Sequence, residues 1–145
     1  MLEPKIRLTN EEMQYIALFG NVTGATSEDC LIDDENGRII FVAKKGDMGL
    51  AIGKNGKNIE SLKKMTGRQI EVVENAETPE ELIKNSLSPA RISNIRITEN
   101  PKRKIAVVEV EPKDKAIAIG RNGRTIEKTR MLVKRYFQVD HVVIT

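Results

Sequence analysis

Aromatic residues are nearly missing from this 145-residue chain, which has no tryptophan, two tyrosines and three phenylalanines. A protein that grips its ligand mainly by ring stacking carries more of them, so another mode of recognition is expected. Cysteine occurs once, at Cys30. That excludes an intrachain disulfide and fits a reducing, cytoplasmic setting. Cys30 stands in an apolar run and reads as a small buried hydrophobe. Histidine also occurs once, at His141, with no Cys or second His beside it, which makes it a poor metal ligand or general base. No His–Ser–Asp or Cys–His set is present, and no glycine run ends in the Gly-Lys-Ser/Thr that phosphate-loop chemistry requires. An enzyme, a metal and a cofactor are therefore not expected. No apolar run approaches a membrane span, and the first residues, MLEPKIRLTNEE, hold no apolar signal region, so no membrane association is expected either. Gly/Ser-rich and low-complexity stretches are lacking as well.

Charge is plentiful and nearly balanced: 24 Lys and Arg against 21 Asp and Glu, a net charge of +3 and a pI near 9.0. The sum is too small to imply a polyanionic partner, but the distribution is uneven. From Lys44 to Arg68 there are seven basic residues against two acids, and from Lys113 to Arg135 eight against two. The acids collect at Glu28–Glu35 and Glu71–Glu81.

The basic stretches enclose two near-identical phrases, AIGKNGKNIE from Ala51 and AIGRNGRTIE from Ala118, 67 residues apart. The surrounding patterns repeat too. Thr9 with Glu12 forms a capping box ahead of an apolar face at Met13, Ile16, Ala17 and Leu18, and Gly20–Asn21 is expected to stop that helix. CLIDDENGRIIFVAK reads as two strands joined by a tight type I′ turn at Asn36–Gly37, with Asp33, Asp34 and Glu35 explained as a polar hairpin tip. Asp47 is placed to cap a short helix reaching Ile52. A second helix follows Gly56, marked by Ile59, Leu62 and Met65, and RQIEVVE is the closing strand.

The second half has the same order. Thr78–Pro79–Glu80–Glu81 starts a helix that Ser88–Pro89 ends. ISNIRITE and KIAVVEVE are strands about a turn at Asn100–Pro101. Asp114 caps the next short helix, GRNG breaks it, Ile126, Val133 and Phe137 mark the following helical face, and QVDHVVIT is the last strand. Two units are predicted, 1–74 and 75–145, with only about five residues, Glu74 to Thr78, between them.

A single GxxG carries little weight, because glycines at that spacing are common in ordinary turns. Two copies in identical settings point to a function. Glycine tolerates positive φ and lets another backbone approach, since it has no Cβ. The helix behind the turn offers unpaired N–H groups and the positive end of its dipole, which favour an anion. Lys54 and Arg121 add a mobile cation, and Asn55 and Asn122 tolerate left-handed geometry and can bond a phosphate oxygen. The pattern suits a sugar-phosphate backbone crossing the turn.

The order of elements resembles the KH domain of prokaryotic topology, whose GxxG loop clamps about four nucleotides. MGLAIGKNGKNIESLKKMTGRQIEVVE and KAIAIGRNGRTIEKTRMLVKRYFQVDHV are similar to the tandem KH region of the NusA family of transcription elongation and termination factors, in its short archaeal form. The resemblance spans essentially the whole chain, and neither loop is eroded as one typically is in the ribosome-assembly KH proteins. It implies an α+β fold of two type II KH domains, each a three-stranded mixed sheet packed on helices. It also implies single-stranded RNA as the partner, with RNA polymerase or other transcription or ribosomal proteins beside it. Gly53, Lys54, Asn55 and Gly56, and Gly120, Arg121, Asn122 and Gly123, would clamp phosphates, and Lys57 and Arg124 would steer them. Ile52 and Ile119 would floor an aliphatic groove for bases; read from the residues alone, they fit a core position equally well. Lys63, Lys64, Arg130 and Lys134 read as solvated charge. The alternatives are a KH protein of rRNA maturation and a protein-interaction scaffold, the latter disfavoured by two intact cationic loops.

Overall fold

The computed structural model describes residues 6–145; residues 1–5, which open the N-terminal stretch read above, lie outside it. The chain divides into two compact units, Met1–Asn75 and Ala76–Thr145.

In the first unit, α1 (Asn10–Thr23) is followed by β1 (Ser27–Asp33) and β2 (Arg38–Ala43). Then come α2 (Met48–Ile52), a single 3-10 turn at Lys54–Gly56, α3 (Lys57–Thr66) and β3 (Gln69–Glu74). The sheet order is β1-β2-β3. β1 and β2 are antiparallel with Asp33 opposite Arg38, whereas β2 and β3 are parallel with Phe41 opposite Val72. A parallel neighbour cannot be reached by a hairpin, so the chain must cross over, and the crossover is α2, the glycine turn and α3. Every residue of the central strand β2 is buried. Phe41 meets Phe19 of α1 with ring centroids 4.6 Å apart, and Cys30, Ala51 and Leu62 complete the core about them. Each such phenylalanine contributes roughly 1.5–3 kcal/mol by leaving water.

The second unit repeats the plan with α4 (Pro79–Leu87), β4 (Ile92–Glu99), β5 (Lys104–Val110), α5 (Lys115–Ile119), α6 (Arg124–Phe137) and β6 (His141–Ile144). Single 3-10 turns stand at Pro112–Asp114 and Arg121–Gly123. Its sheet, β4-β5-β6, again joins an antiparallel pair to a parallel one. Leu82, Ile83, Leu87, Val108, Leu132 and Val133 are fully buried in its core. There the hydroxyls of Ser86 and Thr129 bond each other at 2.6 Å, satisfying two polar groups where α4 packs on α6. Both units have the type II KH topology.

Several local expectations need correction. Thr9 does form the capping box, accepting the Glu12 N–H while its own N–H donates to Glu12 Oε1. The helix, however, continues through Gly20–Asn21 and ends at Gly24 in the left-handed region, because burial of Phe19 and Thr23 extends its apolar face by a turn. Met13 and Met65, expected to face inward, are exposed. The hairpin loop is not a two-residue type I′ turn: it spans 34–37, is closed by the Gly37 N–H on the Asp34 carbonyl, and of Asn36 and Gly37 only the glycine has positive φ. Asp33 and Asp34 are more than a polar tip. Asp33 pairs with the wholly buried Arg38 at 2.7 Å, Arg38 reaches Glu71 at 2.8 Å, and Asp34 pairs with Arg68 at 2.7 Å. Burial alone would raise the Asp33 carboxyl, but hydrogen bonds from Asn36 and Arg38 override it and hold it below the usual range. The last strand begins only at His141, since Gln138 closes α6 in a left-handed cap.

Candidate nucleic-acid interface

The two glycine turns are the same object built twice. Gly53 has φ 76° and ψ 171°, and Gly120 has 80° and 167°. This corner of conformational space is essentially closed to residues with a Cβ. Asn55 and Asn122 follow, both at φ 56°, and then Gly56 and Gly123 at 73° and 75°. The N–H of the second glycine donates to the carbonyl of the first, at 3.2 Å in one turn and 3.1 Å in the other. Positive φ at three of four consecutive residues therefore reverses the chain and launches the helix that follows.

The glycines are not equivalent in their surroundings. A Cβ on Gly53 would stand 2.7 Å from the Asn58 side chain, and one on Gly120 would stand 2.4 Å from Thr125 Oγ1. The first glycine of each pair is thus enforced by close packing inside the turn. A Cβ on Gly56 would meet nothing within 4 Å, and one on Gly123 would meet only Ile126 at 3.9 Å. The second glycine faces open space, where another backbone can pass. Among the described residues no side chain caps the N-terminus of α3 or α6; the first N–H of each helix, that of Lys57 or Arg124, donates to the Lys54 or Arg121 carbonyl, and the positive end of the helix lies beside that bare backbone.

The cations expected at the turns divide by setting. Lys54, Lys57 and Arg121 are exposed and form no ion pair with a described residue. Arg124 is half-buried and engaged within the fold, so it is less free than Lys57. Of the residues read as solvated charge, Lys64, Arg130 and Lys134 are exposed, and Lys63 is half-buried. Ile52 and Ile119, for which core and groove were equally open, are 39% and 42% exposed and do not belong to the core.

Sequence reasoning missed their partners. Leu50 and Ile117 are 56% and 45% exposed, so each short helix displays two large aliphatic side chains beside its glycine turn. Between them Ala51 and Ala118 are fully buried and anchor the helix. The signal was present in Leu-Ala-Ile and Ile-Ala-Ile, where a large–small–large pattern on a single helical turn turns the small residue inward. In the first unit the pair is held in place by Asn58, whose amide donates to the Leu50 carbonyl at 2.8 Å.

Residues 13–79 match the KH domain family, and residues 79–143 match the family described as NusA-like second KH domain. The "Probable transcription termination protein NusA" of Halobacterium salinarum is 41% identical over 140 residues, covering 97% of this chain and 99% of that protein. The chain belongs to the archaeal NusA-like family. The bacterial "Transcription termination/antitermination protein NusA" of Thermus thermophilus is 31% identical over 80 residues, covering 54% of this chain but only 20% of its own length. A solved structure, "Crystal structure of APE1850", superposes with a TM-score of 0.86 at 37% identity and covers 95% of this chain and all of that one.

Both KH domains of this NusA-like chain also share a brace invisible in the sequence. Asp47 and Asp114 stand at the start of the short helices, as expected, but neither side chain caps its helix. Asp47 accepts the Thr26 N–H at 2.9 Å and Asp114 the Arg91 N–H at 2.8 Å, each from the residue just before the first strand of its sheet. The short helix that carries the aliphatic pair is thereby tied to the sheet edge. Arg91 Nε also pairs with Asp114, and these hydrogen bonds hold the Asp114 carboxyl below its usual range. Among the described residues no group of three or more His, Cys, Asp or Glu is placed to hold a metal, and no helix is long and apolar enough to cross a membrane.

Proposed function

We propose that this chain binds single-stranded RNA through its two glycine turns and, on a nascent transcript, modulates elongation, termination or antitermination. The observation that carries the reading is the duplicated turn. In each copy a glycine faces open space, the N-terminus of a long helix has no side-chain cap, and an exposed aliphatic pair lies alongside.

Gly53–Gly56 and Gly120–Gly123 clamp the phosphates, with their backbone close against the strand. Lys54, Lys57 and Arg121 neutralise phosphate charge from outside, and Arg124 contributes from its half-buried position. Leu50 with Ile52, and Ile117 with Ile119, offer apolar floors for bases, which are read at their edges by backbone and small polar groups. This arrangement needs few aromatics. One loop holds about four nucleotides and binds weakly. Two loops joined by a short junction act on a single strand of about eight or more nucleotides, the second engaging at an effective concentration of order millimolar. RNA held this way cannot pair with itself, which is how binding biases pausing and release. On this reading its protein partners are RNA polymerase or other transcription or ribosomal proteins.

The test is fluorescence anisotropy with a labelled single-stranded RNA of about a dozen nucleotides, wild type against a variant carrying Lys54→Asp, Asn55→Asp, Arg121→Asp and Asn122→Asp, with folding checked by circular dichroism. Binding should weaken with salt by about 0.7 in log–log slope per phosphate neutralised, and it should be lost in the variant. Equal binding by both proteins would remove the turns from the site. No binding by wild type to any member of a random pool would instead favour a protein-interaction scaffold.

A further inference from the structure

The two units share one plan but differ at the tip of the β-hairpin. In the first, the tip is acidic, and it is neutralised from within by the Asp33–Arg38 and Asp34–Arg68 pairs. In the second, the corresponding turn is Asn100–Pro101–Lys102–Arg103, running into Lys104 at the start of β5. This turn is fixed in shape. Asn100 donates its N–H to the Arg103 carbonyl at 3.0 Å, and its side-chain oxygen accepts the N–H groups of Lys102 at 2.9 Å and Arg103 at 3.0 Å. Lys102 and Arg103 are exposed, and neither side chain forms an ion pair with a described residue. One unit thus cancels the charge of its tip, and the other presents two uncancelled cations on a rigid turn.

Beside that turn lies a cavity of about 290 Å³, bounded by Lys102, Arg103 and Lys104 and, from the end of α6, by Phe137 and Gln138. Its volume is at the small end of ligand sites, which run from about 300 to 1,000 Å³. Two acids, Glu99 and Asp140, share the lining, but Asp140 is paired with Lys134 and accepts the Lys104 N–H at 2.8 Å. Phe137 is half-buried, whereas Phe19 and Phe41 are wholly inside the other unit, and its carbonyl accepts a hydrogen bond from Lys104 Nζ at 3.3 Å. Gln138 holds φ 56° at the end of α6, where α3 of the other unit ends on Gly67 at φ 70°. A side chain there carries a conformational cost that glycine avoids, and what it adds is an amide with one donor and one acceptor face.

We propose that this cavity takes one nucleotide of single-stranded RNA, its phosphate on Lys102 and Arg103, its base against Phe137 and its base edge on the Gln138 amide. The proposal rests on the RNA-binding reading above and extends it to a third contact that only the second unit makes. α6 has 14 residues from the glycine turn to Phe137, a rise of about 20 Å at ~1.5 Å per residue, a span that several nucleotides bridge. RNA of about six nucleotides occupies one loop without spanning to the cavity; RNA of about twenty reaches it.

Anisotropy titrations of the full chain with random 6-mer and 20-mer RNA pools test this at several salt concentrations. Wild type should bind the 20-mers more tightly. Lys102→Ala with Arg103→Ala should weaken 20-mer binding by about tenfold and lower its salt slope by about 0.7, one phosphate's worth, while leaving the 6-mers within twofold. Gln138→Gly is the decisive companion, because it relieves the backbone and cannot be blamed on misfolding; it should weaken 20-mer binding a few-fold while leaving thermal stability equal or higher. The proposal is overturned if wild type gains nothing from the longer RNA, if these variants bind 20-mers as wild type does, or if Lys63→Ala with Lys64→Ala costs as much. Failure of wild type to bind either pool would overturn the RNA reading itself, a different outcome from loss of the length effect alone.

Discussion

Replacing each glycine of the two turns by alanine should produce a graded loss of stability that follows the geometry of the turn. At Gly120 the new methyl would sit 2.4 Å from Thr125 Oγ1 and 2.7 Å from the Thr125 backbone nitrogen, in a backbone region with φ 80° and ψ 167°. That region costs an ordinary residue about 1–3 kcal/mol, and overpacking against a stiff β-branched neighbour adds about 1–3 kcal/mol more. The expected loss is about 3–5 kcal/mol. At Gly53 the neighbour is the Asn58 side chain at 2.7 Å, which can swing away only by giving up its 2.8 Å bond to the Leu50 carbonyl. The loss there should be slightly smaller, about 2–4 kcal/mol. At Gly56 and Gly123 no atom stands closer than 3.9 Å, and only the left-handed backbone resists, costing about 1–2 kcal/mol. Urea titrations read by amide resonances of each unit separately would measure this, since a chain of two units need not unfold in one step. Equal losses at Gly120 and Gly123 would refute the argument that close packing, and not backbone angle alone, enforces the first glycine.

Two further outcomes follow from exposure and charge. Leu50→Ser with Ile52→Ser, or Ile117→Ser with Ile119→Ser, should change stability by less than about 1 kcal/mol, because these side chains already face solvent. The same changes should lower RNA affinity at least about tenfold; unchanged affinity by anisotropy would remove the aliphatic pairs from the site. Asp114, held below its usual range by its hydrogen bonds from Arg91, contributes stability that is complete above the unfolded-state value of about 3.8 and is lost as pH falls through the lower folded-state value. Asp33 and Asp140 shift in the same direction, from hydrogen bonds to Asn36 and Arg38 and to Lys134. The midpoint of thermal unfolding should therefore fall steeply between pH 4 and pH 2, and Asp114→Asn should flatten that limb for the second unit; an unaltered pH profile would contradict the brace between Asp114 and Arg91.

Much of this protein could be read from local chemistry. The caps at Thr9 and Thr78 and the alternating strands needed only neighbours within a few residues, and the repeat of whole units gave the topology. The glycines of both turns were legible for the same reason, since their backbone angles are a property of four consecutive residues. What failed was whatever depended on a distant surface. The end of α1 was misplaced because the burial of Phe19 and Thr23 outweighs the local tendency of Gly20–Asn21 to stop a helix. Asp47 and Asp114 looked like helix caps, yet their carboxylates serve a strand more than twenty positions away. Ile52 and Ile119 could not be sorted between core and groove, since an aliphatic side chain has the same identity in either place and only the position of neighbouring elements decides its exposure.

The sequence by itself therefore determined the order of elements, the duplication and the two cationic glycine turns, because each is encoded in backbone preference and short-range pattern. Tertiary structure alone decided which aliphatic residues face water, which aspartates brace a sheet, and that Arg38 is buried between two carboxylates while Lys102 and Arg103 form no ion pair with a described residue. Those outcomes depend on what the folded chain brings next to each residue, a sum of long-range contacts that no short stretch of sequence contains.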